Sequence, residues 1–143
     1  MSQTTSPGYA KPLPVPTPES EPYWAAARHH EMKLQHCDKC GSTWFPPSKL
    51  CPECLSDDWT WKKVSGKGSL FSFVIFHRPY HPGFKGDLPY NVSIVELEEG
   101  PRLLTNIVGC ANEDLVVGMP VEVMFDDVTD EVTLPKFQPV GTA

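Results

Sequence analysis

Four cysteines constrain this chain more than any other feature. Cys37-Asp38-Lys39-Cys40-Gly41 is answered by Cys51-Pro52-Glu53-Cys54. Each Cys-x-x-Cys pair folds readily as a tight knuckle that aims two thiolates at one point, and two knuckles complete a tetrahedral four-sulfur site whose default metal is zinc. Gly41 fits this reading, because a knuckle turns sharply after its second cysteine and glycine takes positive φ without a Cβ clash. The turn leaves backbone N–H groups facing the sulfurs.

Three other readings compete: two disulfides, an open catalytic zinc, and rubredoxin-type iron. Residues 1–20 show neither a positive n-region nor an apolar core, so nothing there resembles a signal peptide, and a reducing, cytoplasmic setting is expected. Four thiolates close the coordination shell, whereas a catalytic zinc keeps a position for water; the expected role is therefore structural. Iron accepts the same ligand set, and zinc is preferred over it.

The chain has 143 residues, enough for one or two small modules, and no apolar run of the roughly 18 residues needed to cross a membrane. Sixteen prolines and ten glycines, with one plausible helical stretch, point to a turn-rich, mainly β protein. The net charge of −6 argues against a general nucleic-acid binder. Charge is unevenly spread: Lys62, Lys63, Lys67, Arg78 and Lys85 fall in a stretch without acids, while the chain from Glu96 to Glu131 is strongly acidic. One part can attract an anion while the whole stays acidic.

Residues 1–20 form an expected flexible, proline-rich arm, with Pro7, Pro12, Pro14, Pro16 and Pro18 biasing it to extended conformations. Thr17 or Ser20 is placed to cap a short helix carrying Tyr23 and Trp24, which opens a unit over residues 21–62 that holds the four-cysteine ribbon. From Met32 the period becomes two, reading as a strand into the first knuckle, and Trp59 and Trp61 fall on one strand face. Residues 63–143 read as five short strands, at 71–76, 92–97, 103–108, 121–125 and 132–134, with a short helical element between the third and fourth. This pattern fits an OB-type barrel.

These residues resemble the zinc-ribbon plus OB-fold proteins associated with acyl-CoA chemistry, whose fold is a rubredoxin-like ribbon followed by the barrel. The matching pieces include Pro22-Tyr23-Trp24, Leu34 to Gly41, Pro46-Pro47 before the second knuckle, Val64 to Ser69, Pro89-Tyr90, Val95 to Gly100 and Gly118 to Val121. The resemblance implies a non-catalytic subunit of a hetero-oligomer that docks on a thiolase-superfamily catalytic subunit and helps bind CoA or acyl-CoA. Within the family it points to the small subunit of benzoylsuccinyl-CoA thiolase, with a partner of an acyl-CoA aldolase as the alternative.

The chain has no Gly-x-Ser-x-Gly elbow, His-Glu-x-x-His or phosphate loop, so no activity is expected of it alone. Cys110, the spare thiol, is read as a small buried apolar residue rather than a nucleophile paired with His77 or His81. The expected metal ligands are Cys37, Cys40, Cys51 and Cys54. Lys67, Arg78 and Lys85, with the aromatics of 76–84, are the expected CoA-binding residues, because phosphates favour Arg and Lys while pantetheine favours apolar walls. A single-stranded nucleic-acid module and an electron carrier remain as readings from other classes.

Overall fold

The computed structural model describes residues 9–141. Residues 9–20 run across the body of the protein, where Leu13 is buried. Lys11 pairs with Asp87 and lies 5.2 Å from the centre of the Phe84 ring. Gly83 admits the arm, since a Cβ there would overlap the Ala10 carbonyl. Residues 1–8 of the expected arm lie outside the described residues.

The α-helix, α1 (Glu21–Arg28), carries Pro22 in its first turn, where the missing amide hydrogen costs no helical bond. Glu21 and Arg28 stand at the dipole ends that suit their charges and meet at 2.9 Å. Ser20 takes the N-cap position, but its hydroxyl accepts the Thr17 N–H instead of capping the helix. Eight residues are marginal as an isolated helix, and burial of Tyr23, Ala26 and Ala27 supplies the missing stabilisation.

The ribbon is a three-stranded antiparallel sheet of β1 (Lys33–Cys37), β2 (Thr43–Trp44) and β3 (Trp59–Lys63), in the order β2-β1-β3. Met32 and Leu34 are buried as the alternation predicts, yet Gln35 between its neighbours is buried too. Its amide explains this: Nε2 donates to the Ser48 carbonyl at 2.7 Å, and Oε1 accepts the Ser48 N–H at 2.9 Å. Trp59 and Trp61 share a face with ring centres 6.2 Å apart, and Trp44 meets Trp59 edge-on at 6.1 Å.

The second sheet holds β4 (Lys67–Phe76), β5 (Tyr90–Leu97), β6 (Arg102–Thr105), β7 (Pro120–Asp127) and β8 (Thr133–Pro139), ordered β6-β5-β4-β7-β8 with every pair antiparallel. It curls until its two edges meet. A parallel bridge joins Ile107, just past β6, to Phe137 on β8, and Phe137 donates to the Asn106 carbonyl at 3.1 Å. The result is a five-stranded half-barrel of the expected OB type, with a short 3-10 turn at Asn112–Asp114 between the third and fourth of its strands. The first, second and fourth strands extend beyond the expected bounds because flanking residues still pair through the backbone, the fifth runs on to Pro139, and the third stops at Thr105, short of the expected Val108.

Asn91 locks the seam. Its Nδ2 donates to the Ile107 carbonyl at 2.8 Å, and its Oδ1 accepts from Ile107 N–H at 2.8 Å and Ser93 Oγ at 2.7 Å. Ribbon and barrel share one hydrophobic core, in which Tyr23, Met32 and Leu34 pack with Leu70, Val95 and Phe137. A small second cluster joins Cys37 and Cys51 to Trp44 and Trp59.

Candidate metal centre and the β4–β5 connection

The two knuckles are near copies of each other. Cys37 N–H donates to the Ser42 carbonyl at 2.8 Å and Gly41 N–H to the Cys37 carbonyl at 3.0 Å. The second knuckle repeats this with Cys51 to Ser56 at 2.9 Å and Leu55 to Cys51 at 2.8 Å. Gly41 takes φ +81°, and its counterpart Leu55 takes φ +63° with a side chain that is 70% exposed. The geometry of the fold thus places a leucine where the first knuckle has the glycine that conformation favours.

All four Sγ atoms lie within 4.8 Å of one another, and the Cys37–Cys54 and Cys40–Cys51 pairs stand at 3.6 Å. Tetrahedral zinc with Zn–S bonds of about 2.3 Å requires sulfurs about 3.8 Å apart, so the quartet fits the ion. Backbone N–H groups of Cys40 and Glu53 point at the Cys37 and Cys51 sulfurs, each at 3.4 Å, as thiolates require. The hydrogen bond with Ser42 pulls the Cys40 thiol down to about 6. Cys54 is pushed up to about 12: a backbone contact at Ser56 lowers it, but desolvation and the three neighbouring thiols outweigh that. Crowded thiols resist losing all their protons, and a divalent cation at their centre makes thiolates of all four. Cys37 and Cys51 are buried while Cys40 and Cys54 face solvent. Bound there, zinc would supply a crosslink between the knuckles.

The basic residues do not converge. Lys67 opens β4, and Arg78 and Lys85 lie past its other end. Ten residues of strand span roughly 30 Å at roughly 3.3 Å each. Arg78 and Lys85 share the connection from β4 to β5, where Pro82–Asp87 forms a 3-10 turn whose first N–H groups are met by His81 Nδ1, an acceptor for Gly83 N–H at 2.9 Å. Aromatic rings underpin this connection: Phe76 meets Tyr80 at 5.2 Å and Tyr90 at 5.4 Å, and Phe84 stacks on Tyr90 at 4.9 Å. Among the described residues, Lys67, Arg78 and Lys85 form no ion pair, and Lys63 pairs with Glu31 rather than with the acidic C-terminal half.

Cys110 is half-buried, and desolvation together with the nearby Asp114 charge raises its thiol above the ordinary range. A protonated thiol is a poor nucleophile. Its hydrogen bond goes to the Ala111 carbonyl at 3.4 Å, and no hydrogen bond links it to a histidine among the described residues. No helix there is long and apolar enough to cross a membrane. Sequence reasoning missed Leu55, Gln35 and Asn91, whose roles depend on partners that no local pattern reveals.

A four-cysteine ribbon sharing its core with an OB-type half-barrel defines a class of protein. Residues 24–60 match the rubredoxin-like zinc ribbon domain of ChsH2, and residues 61–126 match the ChsH2 C-terminal OB-fold domain. The chain belongs to this ChsH2 family, also called DUF35. It is similar to a probable enoyl-CoA hydratase alpha subunit of Thermomonospora curvata, 37% identical over 129 residues, which cover 90% of this chain and 40% of that protein. The chain thus spans well under half of that relative's length. A DUF35 domain-containing scaffold protein of Methanothermobacter thermautotrophicus is 40% identical over 105 residues, 73% of this chain and 78% of its own length. The benzoylsuccinyl-CoA thiolase subunit BbsA of Thauera aromatica is 28% identical over 89 residues, 59% of this chain and 57% of its own. Among solved structures, a chain of the Ltp2-ChsH2(DUF35) aldolase superposes with a TM-score of 0.80 at 37% identity, covering 88% of this chain and 98% of that one.

Proposed function

We propose that this chain is a non-catalytic, zinc-binding subunit that docks on a thiolase-superfamily catalytic subunit and contributes to the site of a CoA thioester. Zinc held by Cys37, Cys40, Cys51 and Cys54 fixes the ribbon. The observation that carries the CoA part is the connection between β4 and β5, where Arg78 and Lys85, exposed and without an ion pair among the described residues, share one short stretch of chain with the ring cluster of Phe76, Tyr80, Phe84 and Tyr90. Unpaired cations beside aromatic walls suit a ligand that combines phosphates with an adenine and an apolar arm. Lys67, at the far end of β4, would join this site only through a ligand or partner that spans the strand.

Two relatives bear on the partner's chemistry. The likeness to the aldolase complex rests on 37% identity over nearly the whole of that chain, and the likeness to BbsA on 28% over about half of it. An aldolase-type partner acting on a CoA thioester is therefore favoured over the benzoylsuccinyl-CoA thiolase.

The test is steady-state kinetics of the purified complex with Arg78→Ala and Lys85→Ala. Each lost charged hydrogen bond is expected to cost about 1.5–3 kcal/mol, raising KM for the CoA substrate about tenfold or more with kcat unchanged, since these contacts lie away from the bond being broken. An unchanged KM in both variants would contradict the proposal.

A further inference from the structure

The outer surface of the half-barrel is apolar where a solvent-facing sheet usually turns polar. Register fixes which side chains share it: Phe76 lies opposite Tyr90, Val74 opposite Val92, and Ile94 opposite Leu104. Their inward neighbours Asn91, Ser93, Val95 and Leu97 are buried, while Val74 is 53% and Leu104 is 73% exposed. A bulge between Leu70 and Ser72 turns Phe71 outward as well. Its ring carries the Arg102 guanidinium at 3.8 Å, and Arg102 also pairs with Glu96 at 2.9 Å. At the other end the face runs without a break into the rings of the β4–β5 connection.

We infer that this face of β4, β5 and β6 is the surface on which the catalytic chain sits, an inference that rests on the shared-ligand reading above. A ligand held jointly by two chains lies along their border, so the catalytic chain must abut the connection that carries Arg78 and Lys85. One flank of that connection is already covered by this chain's own arm, through Ala10, Lys11 and their contacts with Gly83 and Asp87. The apolar sheet face is the flank left open. Its complement is a flat apolar protein surface, because the face encloses no cavity: the cleft along Phe84, Val92 and Leu104 measures about 240 Å³, below the roughly 300 Å³ at which ligand pockets begin.

Size sets a further condition. Three strands about 4.8 Å apart and five residues long present a footprint of roughly 230 Å², while a standard interface takes about 800 Å² from each partner. The contact therefore extends onto the β4–β5 connection and, past Leu104, onto the groove of Trp24, Phe45 and Leu134.

The test places the photo-crosslinker p-benzoylphenylalanine at position 74, 104 or, as a control on the exposed β6–β7 connection, 117 of the full chain in its native host. Adducts formed on irradiation are identified by mass spectrometry. The expected result is at least ten-fold more adduct with a thiolase-superfamily chain from positions 74 and 104 than from 117. In parallel, Val74→Glu with Leu104→Glu should cut the copurified catalytic chain at least ten-fold while zinc content and melting temperature hold. Adducts of twice the chain's mass from 74 and 104 would show a second copy on this face and overturn the inference. So would recovery of the catalytic chain with no crosslink from either position, which leaves the partner reading standing. Failure to recover any such chain, by contrast, overturns the partner reading itself and this inference with it.

Discussion

Asn91 shows how much of the barrel hangs on one polar side chain. Its amide satisfies both backbone groups of Ile107 and the Ser93 hydroxyl, all inside the closed seam. Asn91→Ala strands those groups without water, so denaturant unfolding of the full chain should show a loss of about 2–4 kcal/mol; a loss within about 0.5 kcal/mol would be that of an ordinary surface site. The knuckles give a second residue-scale outcome. Gly41 and Leu55 hold matching left-handed conformations, so Gly41→Ala should destabilise by about 1 kcal/mol and Leu55→Gly should not destabilise at all. Thermal melts of the zinc-loaded protein compare them. Cys110 should react with iodoacetamide at pH 8 more slowly than free cysteine, because desolvation and Asp114 keep its thiol protonated there and only the thiolate attacks; rapid alkylation would reopen a catalytic role. Gly41 was legible in the sequence because the cysteine spacing dictates where the knuckle turns. Leu55 and Asn91 were not, since a leucine gives no turn signal and Asn91 acts on a residue 16 positions away.

At the scale of elements, the shared core couples the ribbon to the barrel. Tyr23, Met32 and Leu34 pack among the barrel residues Leu70, Val95 and Phe137, so the loosening that follows metal loss should not stop at the ribbon. Zinc removal by a chelator is expected to lower the melting temperature of the whole chain in one cooperative transition seen alike by tryptophan fluorescence and far-ultraviolet circular dichroism. Two separate transitions would mean that the two elements fold independently. The period-two signal carried most of the strands: Trp59 and Trp61 do share a face, and the five barrel strands overlap the stretches expected for them, though the third stops at Thr105. The same one-dimensional view failed for charge. Lys67, Arg78 and Lys85 looked like one basic stretch, but the ten-residue strand β4 separates Lys67 from the other two, and extension turns nearness in sequence into roughly 30 Å.

For the molecule as a whole, the proposed reading makes the barrel's outer face with its adjoining connection the working surface, carried on a core that ribbon and barrel share. The apolar character of β4 on both sides was visible in the sequence. That Val92, Ile94 and Leu104 join it on one open face was not, because an apolar residue at an outward position reads in sequence like one in the core, and register alone tells them apart. The proposed role of the chain beside an acyl-CoA enzyme was legible only through family resemblance, since its sequence carries no Gly-x-Ser-x-Gly elbow, His-Glu-x-x-His or phosphate loop. The account's central claim is that this chain works as one subunit of such an enzyme. Purification of the full-length chain from its native host under mild conditions, followed by native mass spectrometry, tests it most directly. The account predicts a complex holding a thiolase-superfamily catalytic chain and one zinc for each copy of this chain; a metal-loaded chain that is recovered alone would contradict it.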